Sequence, residues 1–176
     1  MADSKRLQIL KALTAHLETI TVLNGYQFDL AGRVYRGRAS FGSETPLPCV
    51  TILEALNPDR NPFEAGSGIR IKDSWILLIQ GWTDDGDGDG AGPNPHPTDD
   101  VHNLMADVKK AIGVLMREPT PTQPNPSYML GGAIDGLRIE PGTVRPPDET
   151  SARSYFYLRA VVDVAESLED PYAAAF

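Results

Sequence analysis

The sequence predicts an α+β fold in which a mostly antiparallel mixed sheet is flanked by two main helices. Apolar residues recur every three or four positions over residues 4–20 and again over 99–116, which is the spacing of amphipathic helices. Between them, residues 75–82 form an almost unbroken apolar run, which is typical of a central strand with both faces covered. A chain of 176 residues suits one domain, 1–176, with a core large enough to fold unaided.

The first predicted helix begins at Ser4 or Asp3, because either side chain caps a helix N-terminus well. Asn24-Gly25 predicts a turn after the helix. The apolar stripe of this helix consists of Leu7, Leu10, Leu13, Leu17 and Ile20.

Two short strands are predicted next. Residues 33–38 alternate charged with apolar or small residues and predict a half-exposed strand, whereas 48–53 predict a strand buried on at least one face. A long loop, 56–73, follows. Its last residues, 69–72, alternate with period two, so they predict either a strand or a hairpin arm.

After the apolar run, residues 83–97 are rich in Asp, Gly and Pro and predict a loop. Thr98 is the predicted N-cap of the second helix, where Asp99 and Asp100 favour the positive end of the helix dipole. The inward side chains are predicted to be Leu104, Met105, Val108, Ala111, Ile112 and Leu115, and the outward ones Asp107, Lys109 and Lys110.

The last third of the chain predicts a loop over 118–132, of which 118–127 is Pro-rich, extended and exposed. Residues 134–140 and 154–164 predict strands, and 141–150 predict a turn or loop between them. The predicted tail, 167–176, carries Tyr172 and Phe176, aromatic residues that need a partner to be ordered.

Composition narrows the function classes. The formal net charge of −8 disfavours a nucleic-acid binder that works by neutralising phosphates. Cys49, the single cysteine, lies in an apolar stretch, so we expect a small buried apolar side chain rather than a nucleophile. Because a single cysteine forms no internal disulfide, a reducing compartment is favoured. The N-terminal residues lack a signal-peptide apolar region, and no apolar run approaches 18 residues, so no membrane span is expected.

The loop 83–97 contains part of a calcium motif. Asp85, Asp87 and Asp89, followed by Gly90, match the first half of a D-x-D-x-D-G loop, in which alternate carboxylates wrap a hard cation. The twelfth position, where a bidentate Glu is needed, is His96, and prolines interrupt the second half. We therefore expect a solvated acidic loop and no metal.

Other chemistry-bearing patterns are incomplete. The glycines of this loop do not have dinucleotide-binding spacing, and the interleaved aspartates repel phosphate. His96, Asp99 and His102 give H-x-x-D-x-x-H, but Pro97 keeps the three off one helical face, so Asp99 and His102 are expected to form a capping turn. His16 is expected at the helix surface, and three histidines leave little material for a catalytic triad. We expect neither a catalytic residue nor a cofactor.

Two sets of residues suggest interfaces. Arg33, Arg36 and Arg38 form a basic row on one predicted strand, which suits pairing with an acidic neighbouring subunit or with solvent better than nucleic acid. Trp75 and Trp82 are most simply anchors of the sheet, although tryptophan is also enriched in interface hot spots.

Three stretches resemble the tail terminator family of long-tailed bacteriophages: 7–13 (LQILKAL), 75–82 (WILLIQGW), and 96–104 (HPTDDVHNL) with 107–112 (DVKKAI). Similar phage sequences pair a strand of the type I-x-I-x-G-W with a loop of Pro and Asp and a helix of the type A-x-x-L-x-x-D-V-x-x-A-I. The resemblance spans residues 5–165.

The resemblance implies a structural virion protein of the tail neck, made in the host cytoplasm. Such proteins form a ring, usually a hexamer, that caps the tail tube, ends tail polymerisation and offers the surface for head attachment. The implied partners are other copies, the tail tube protein and a head–tail connector or head completion protein, with genomic DNA passing through the lumen without specific binding. The expected interface residues are Arg33, Arg36, Arg38, Phe63, Asp85, Asp87, Tyr172 and Phe176.

A small calcium- or metal-dependent enzyme that uses Asp85, Asp87, Asp89 and His96 is the least favoured alternative. Two others remain. One is another head–tail connector or tail completion protein of the same virion. The other is a generic α+β adaptor that binds a peptide along a sheet edge.

Overall fold

A six-stranded sheet forms the frame of the molecule. The computed structural model describes residues 2–42, 44–55, 69–84, 94–148, 151 and 153–175. Their elements in chain order are α1 (Lys5–Leu17), a 3₁₀ turn (Val22–Asn24), β1 (Val34–Arg36), β2 (Cys49–Ala55), β3 (Arg70–Trp82), α2 (Asp99–Met116), α3 (Met129–Gly132), β4 (Gly136–Ile139), β5 (Thr143–Arg145) and β6 (Tyr155–Ser167).

The strand order is β1-β2-β3-β6-β4, and β5 pairs with β6 beyond the end of β4. Among the described strands β1 and β2 run parallel, and the other neighbouring pairs are antiparallel. The longest ladder joins β3 to β6 over thirteen pairs, from Arg70 opposite Ser167 to Trp82 opposite Tyr155. The predicted α+β fold with a mostly antiparallel mixed sheet is therefore confirmed.

Both main helices pack on one side of the sheet, which we call the inner face. Because side chains alternate along a strand, Trp75, Leu77 and Ile79 of β3 point to this side. The core against them is formed by Ile9, Leu13 and Leu17 of α1, Val101, Leu104, Val108, Ala111, Ile112 and Leu115 of α2, and Phe156, Leu158, Ala160, Val162 and Val164 of β6.

The central position predicted for the apolar run is confirmed, because β3 lies between β2 and β6. Both faces of β3 were predicted to be covered. The two main helices do not provide this cover, because α1 and α2 both lie in the core of the inner face. The run also begins earlier than its apolar residues indicate. Residues 69–72, predicted as a separate strand or hairpin arm, are largely the first part of β3.

Helix α1 begins as predicted, with the Ser4 hydroxyl accepting a hydrogen bond from the Leu7 amide at 3.4 Å. Its inward face differs from the predicted stripe. Ile9 is fully buried, whereas Leu7 is 36% exposed. The contact line follows positions 9, 13 and 17, and Leu7 lies about 200° around the helix from Ile9 at ~100° per residue. The sheet that α1 meets, rather than the apolar spacing alone, selects this line.

Helix α2 has the predicted bounds, but two of its residues behave differently from prediction. The Thr98 side chain makes no capping hydrogen bond, because its backbone (φ −98°, ψ −8°) is already helical rather than extended. Asp107, predicted to face outward, is only 5% exposed. Its Oδ2 accepts hydrogen bonds from the amides of Gln27 at 2.7 Å and Phe28 at 3.1 Å. Asp107 therefore anchors the segment after α1 to α2.

The connection after α2 is exposed over residues 118–124, as predicted, and is then fixed to the helix. Asn125 donates from Nδ2 to the carbonyls of Val114 and Arg117, both at 2.7 Å, and so satisfies carbonyls at the end of α2. The short α3 follows, in which Met129 and Leu130 have positive φ of 49° and 54°. In the predicted loop 141–150, residues 143–145 pair with β6 as the strand β5, which is a correction.

The C-terminal segment lies against the start of α1. The Lys5 amide donates to the Pro171 carbonyl at 3.0 Å, and the Ala175 amide donates to Oε1 of Gln8 at 3.0 Å. Nearby, Arg6 bonds Asp73 of β3 and Glu166 of β6 at 2.8 and 2.7 Å, and its guanidinium lies 5.0 Å from the Trp75 ring centroid. Arg6 therefore joins α1 to both long strands.

Substituting Gly81 by Ala is expected to destabilise the protein by about 1–3 kcal/mol, because the added Cβ would lie 2.3 Å from the Phe156 ring and force it to move. The matched control is Gly113→Ala on the exposed side of α2, where no atom lies within 4 Å. That change is expected to stabilise by about 0.5–1 kcal/mol through helix propensity. Urea unfolding of both variants measures the two effects, and equal effects would contradict the Phe156 contact.

Asp107→Ala is expected to cost about 1–3 kcal/mol, because it leaves the amides of Gln27 and Phe28 without their acceptor. Asp100→Ala, an exposed aspartate in the first turn of the same helix, is the control and is expected to cost less than about 1 kcal/mol. Chemical denaturation gives both values. If Asp107→Ala lost no more free energy of unfolding than Asp100→Ala, the result would contradict the buried position of Asp107 and support the outward position predicted from the sequence.

Candidate interaction surface

The sheet face opposite the helices, which we call the outer face, carries apolar side chains along its length. Strand pairing places Leu53 of β2, Leu78 of β3 and Arg159 of β6 side by side on this face. Leu53, Leu78 and Val161 are half-buried, and Ile76 is 3% exposed. None of the described helices contributes to this face, and its open part is the groove at the end of β3.

Four aromatic rings form a row at one end of the outer face. The ring centroids of Tyr35 and Phe41 are 5.3 Å apart, those of Phe41 and Trp82 are 4.9 Å apart, and those of Trp82 and Tyr155 are 6.4 Å apart. These separations lie in the range in which aromatic pairs attract one another. Pairing in the sheet determines part of this row, because Trp82 lies directly opposite Tyr155. We call this set the aromatic row.

The aromatic row borders a groove of about 590 Å³, which is large enough to hold several side chains of a partner. Its floor is at the end of β3, where Gln80 and Trp82 face outward. One wall is the segment before β2, and the other is the segment before β6. The residues that line this aromatic groove are Ala39, Ser40, Phe41, Gly42, Thr45, Leu47, Gln80, Trp82, Ser151, Arg153 and Tyr155.

A cation is stacked on the first half of the row. The Arg38 guanidinium lies 5.0 Å from the centroid of the Tyr35 ring and 4.7 Å from that of Phe41, within reach of a cation–π attraction. It also donates to the Ser40 carbonyl and to the Thr45 hydroxyl, each at 3.3 Å. Among the described residues no carboxylate pairs with Arg38, so its charge is available at the edge of the groove.

The predicted basic row does not lie on one face. Arg33 donates to the Leu47 carbonyl at 3.0 Å, whereas Arg36 points to the inner face and donates to the Thr14 hydroxyl of α1 at 3.3 Å. Arg38 stacks on the aromatic row, and Arg33 bonds Leu47 in the groove wall, so of the three arginines Arg36 is the one that turns to the helices. The prediction was wrong because β1 covers just Val34–Arg36, so Arg33 and Arg38 lie beyond its ends and follow other backbone directions.

Beside Trp82 in the sheet, Cys49 is fully buried, as predicted. Burial raises the pKa of its thiol from 9.0 to about 11, against a smaller opposing effect of Arg38 and Arg33. The thiolate, which is the nucleophile of cysteine chemistry, is therefore scarce near neutral pH. Cys49 is part of the packing beneath the groove.

Several predicted interface residues lie outside the described part of the chain: Phe63, Asp85, Asp87 and Phe176, together with Asp89 of the partial calcium motif. Tyr172 is described and is 58% exposed. The neighbouring Asp84 forms an ion pair with Arg153 in the wall of the groove. Both partners are well exposed, so the pair contributes little stability.

His16 links the two main helices, whereas His96 and His102 are exposed. His16 is half-buried, and its Nε2 lies 2.8 Å from the Ala111 carbonyl of α2, so it bridges the two helices rather than lying at a free surface. In the turn before α2, the Asp99 amide donates to the His96 carbonyl at 3.2 Å. Within residues 2–42, 44–55, 69–84, 94–148 and the described remainder, no three His, Cys, Asp or Glu side chains are grouped to hold a metal ion.

No family model matches this sequence, and no curated protein is significantly similar to it. Among the described helices, none is both long and apolar enough to cross a membrane.

Sequence reasoning recognised Trp82 as a sheet anchor but missed the aromatic row. Alternate aromatics at the start of β6, Tyr155 and Tyr157, were a usable signal, because they share the outer face with Trp82. Phe41 gave no such signal. Its place depends on the path of the irregular segment 37–48, which follows no periodic pattern.

Cys49 is expected to react with iodoacetamide at pH 8 at least about a hundredfold more slowly in the folded protein than in denaturant. The raised pKa alone accounts for about a hundredfold less thiolate, and burial blocks access further. Mass spectrometry of timed aliquots measures the rate. Because the pKa is raised, the folded-state rate should keep rising with pH beyond 9. A fast reaction at pH 8 in folded protein would refute the buried assignment.

Proposed function

We propose that this protein is a tail terminator, a structural ring subunit in the tail neck of a long-tailed phage. In this role it caps the tail tube, ends tail polymerisation and offers the surface to which the head attaches. Its partners are other copies of the chain, the tail tube protein and a head–tail connector or head completion protein. It performs no catalysis.

The observation that carries the proposal is the outer face. A sheet with its described helices on one side leaves apolar side chains and the aromatic groove on the other. A groove lined by aromatic rings suits the side chains of a partner protein, because aromatic residues dominate the contacts that hold interfaces together. A ring requires such a surface, because each subunit must bury one patch against a different patch of its neighbour.

The stretches that resemble the family support a structural role. They fall on α1, β3 and α2, the elements that build the core. In the helix stretch, Val108, Ala111 and Ile112 face the sheet, and Asp107 anchors the segment after α1. Gly81, before Trp82, leaves room for the Phe156 ring. These positions are explained by packing, which is what a structural protein needs.

The charge is compatible with a ring around DNA. A net charge of −8 disfavours adhesion of nucleic acid, so DNA passes through the lumen without specific binding. The proposal places the protein in the virion, after synthesis in the host cytoplasm.

The test is the mass of the purified protein by light scattering, alone and after mixing with tail tubes, combined with tube lengths from electron microscopy. Six copies of the 19.1 kDa chain give about 115 kDa. A ring of this size, or a monomer that assembles on tube ends and limits their length, is the expected result. A protein that remains monomeric and leaves tube growth unchanged would refute the proposal.

Two other assignments predict different results in the same experiment. Another head–tail connector or tail completion protein would bind the portal side of the neck and ignore free tubes. A peptide-binding adaptor, which the aromatic groove favours as a second candidate, would remain monomeric and fill the groove with a segment of another protein.

A further inference from the structure

An exposed apolar patch lies at the far end of the sheet from the aromatic groove. Leu168 is 63% exposed, Tyr172 58% and Ile69 51%, and the Leu168 amide donates to the Ile69 carbonyl at 2.8 Å. Apolar side chains this exposed, gathered at one place, indicate a contact surface.

This patch has a defined shape. The Ala173 amide donates to the Asp170 carbonyl at 3.2 Å and closes a turn, and the Lys5 amide donates to the Pro171 carbonyl. The turn therefore projects from a fixed base on α1. We call it the 168–172 turn. A protrusion that is already ordered loses less entropy on binding than a flexible tail.

The charges of the two sites are complementary. Glu169 and Asp170 are exposed on the 168–172 turn, and in the described part of the chain neither has an ion-pair partner. The groove edge carries Arg38, which likewise has no carboxylate partner among the described residues. Arg153 in the groove wall is paired with Asp84, so within the described part of the chain Arg38 is the groove-edge cation without a carboxylate, and beside the aromatic rings it favours an acidic, apolar ligand.

We propose that the aromatic groove receives the 168–172 turn of a second copy of this chain. The inference rests on the proposed function in one respect, because it assigns the contact that closes the ring. Tyr172 and Leu168 enter beside Phe41 and Trp82, and the turn's carboxylates meet Arg38.

The turn cannot reach its own groove. Strand β6 begins with Tyr155 at the groove and ends at Ser167, just before the turn. Thirteen residues in extended conformation separate the two sites by about 40 Å at ~3.3 Å per residue. The hydrogen bonds to α1 hold the turn at that distance. The contact is therefore intermolecular. The ring of the proposed function requires its heterologous form, in which the turn of each copy enters the groove of the next until the ring closes.

The first experiment uses complementary charge reversals in the full chain. Arg38→Glu disables the groove and keeps the turn, whereas Asp170→Arg disables the turn and keeps the groove. Each variant alone is expected to lose self-association by about tenfold or more in Kd. Their equimolar mixture is expected to regain association with the two variants alternating, because every contact between a groove of one variant and a turn of the other then joins opposite charges. The double variant, Arg38→Glu with Asp170→Arg, is expected to regain association.

Arg117→Glu and Glu118→Arg are the charge-matched controls. Both residues are exposed at the end of α2 and belong to neither the groove lining nor the 168–172 turn, and both variants are expected to associate as the unaltered chain does. Thermal unfolding of every variant checks that the fold is intact. Sedimentation velocity, with and without tail tubes, measures the assembly.

A second measurement does not depend on charge changes. A photo-crosslinker replaces Phe41, and the protein is mixed with an isotopically labelled copy, alone and on tail tubes. Crosslinks from position 41 to residues 168–172 of the other copy would support the proposal.

The outcomes separate the two proposals. Rings that survive Arg38→Glu and Asp170→Arg, or crosslinks that fall on other segments, would overturn this contact and leave the tail terminator proposal standing. Copies that bind groove to turn but leave tubes unchanged would support the contact and overturn the tail terminator proposal. A chain that neither self-associates nor crosslinks, even with tubes present, would overturn both.

Discussion

The pairing of β3 with β6 is the contact on which the rest of the structure depends. Thirteen consecutive residue pairs join these strands at the middle of the sheet, and each strand carries a further neighbour on its other edge. Their inward side chains form the floor against which α1 and α2 pack. The tightest point is Gly81, where the Phe156 ring occupies the space of the missing side chain. The register of this ladder therefore decides which side chains face the helices. Because side chains alternate along a strand, it also decides which side chains form the outer face.

The inner and outer faces both follow from that register, but one forms the core and the other forms a groove. Inward residues of both strands are apolar and closely packed, and they form the core without a disulfide, since Cys49 is the single cysteine. Outward residues end in the Trp82–Tyr155 pair, which belongs to a groove rather than to a core. The same two strands that hold the domain together therefore position both surfaces proposed for assembly, one at each end of the ladder.

Much of this fold could be predicted from the sequence, and the failures have physical causes. The bounds of α2 agree because a strong period of three and four leaves little choice of register. The outward position predicted for Asp107 was wrong because its role depends on an amide 80 residues earlier in the chain, which no local sequence pattern shows. The sequence did not predict strand β5, because three residues between prolines are too few to show a periodic pattern. Of the candidate interface residues, Arg38 and Tyr172 lie at exposed sites, whereas Arg33 and Arg36 turn to other neighbours.

The order of the strands along the chain has a consequence for synthesis. Trp82 and its partner Tyr155 are 73 residues apart, so β3 leaves the ribosome well before β6 exists. At about 5–20 residues per second, its apolar edge remains without that partner for about 4–15 s. The hairpin-like pair β2–β3 covers only the other edge. A nascent chain of this protein is therefore most exposed to misassociation during those seconds, and slower translation would lengthen the interval.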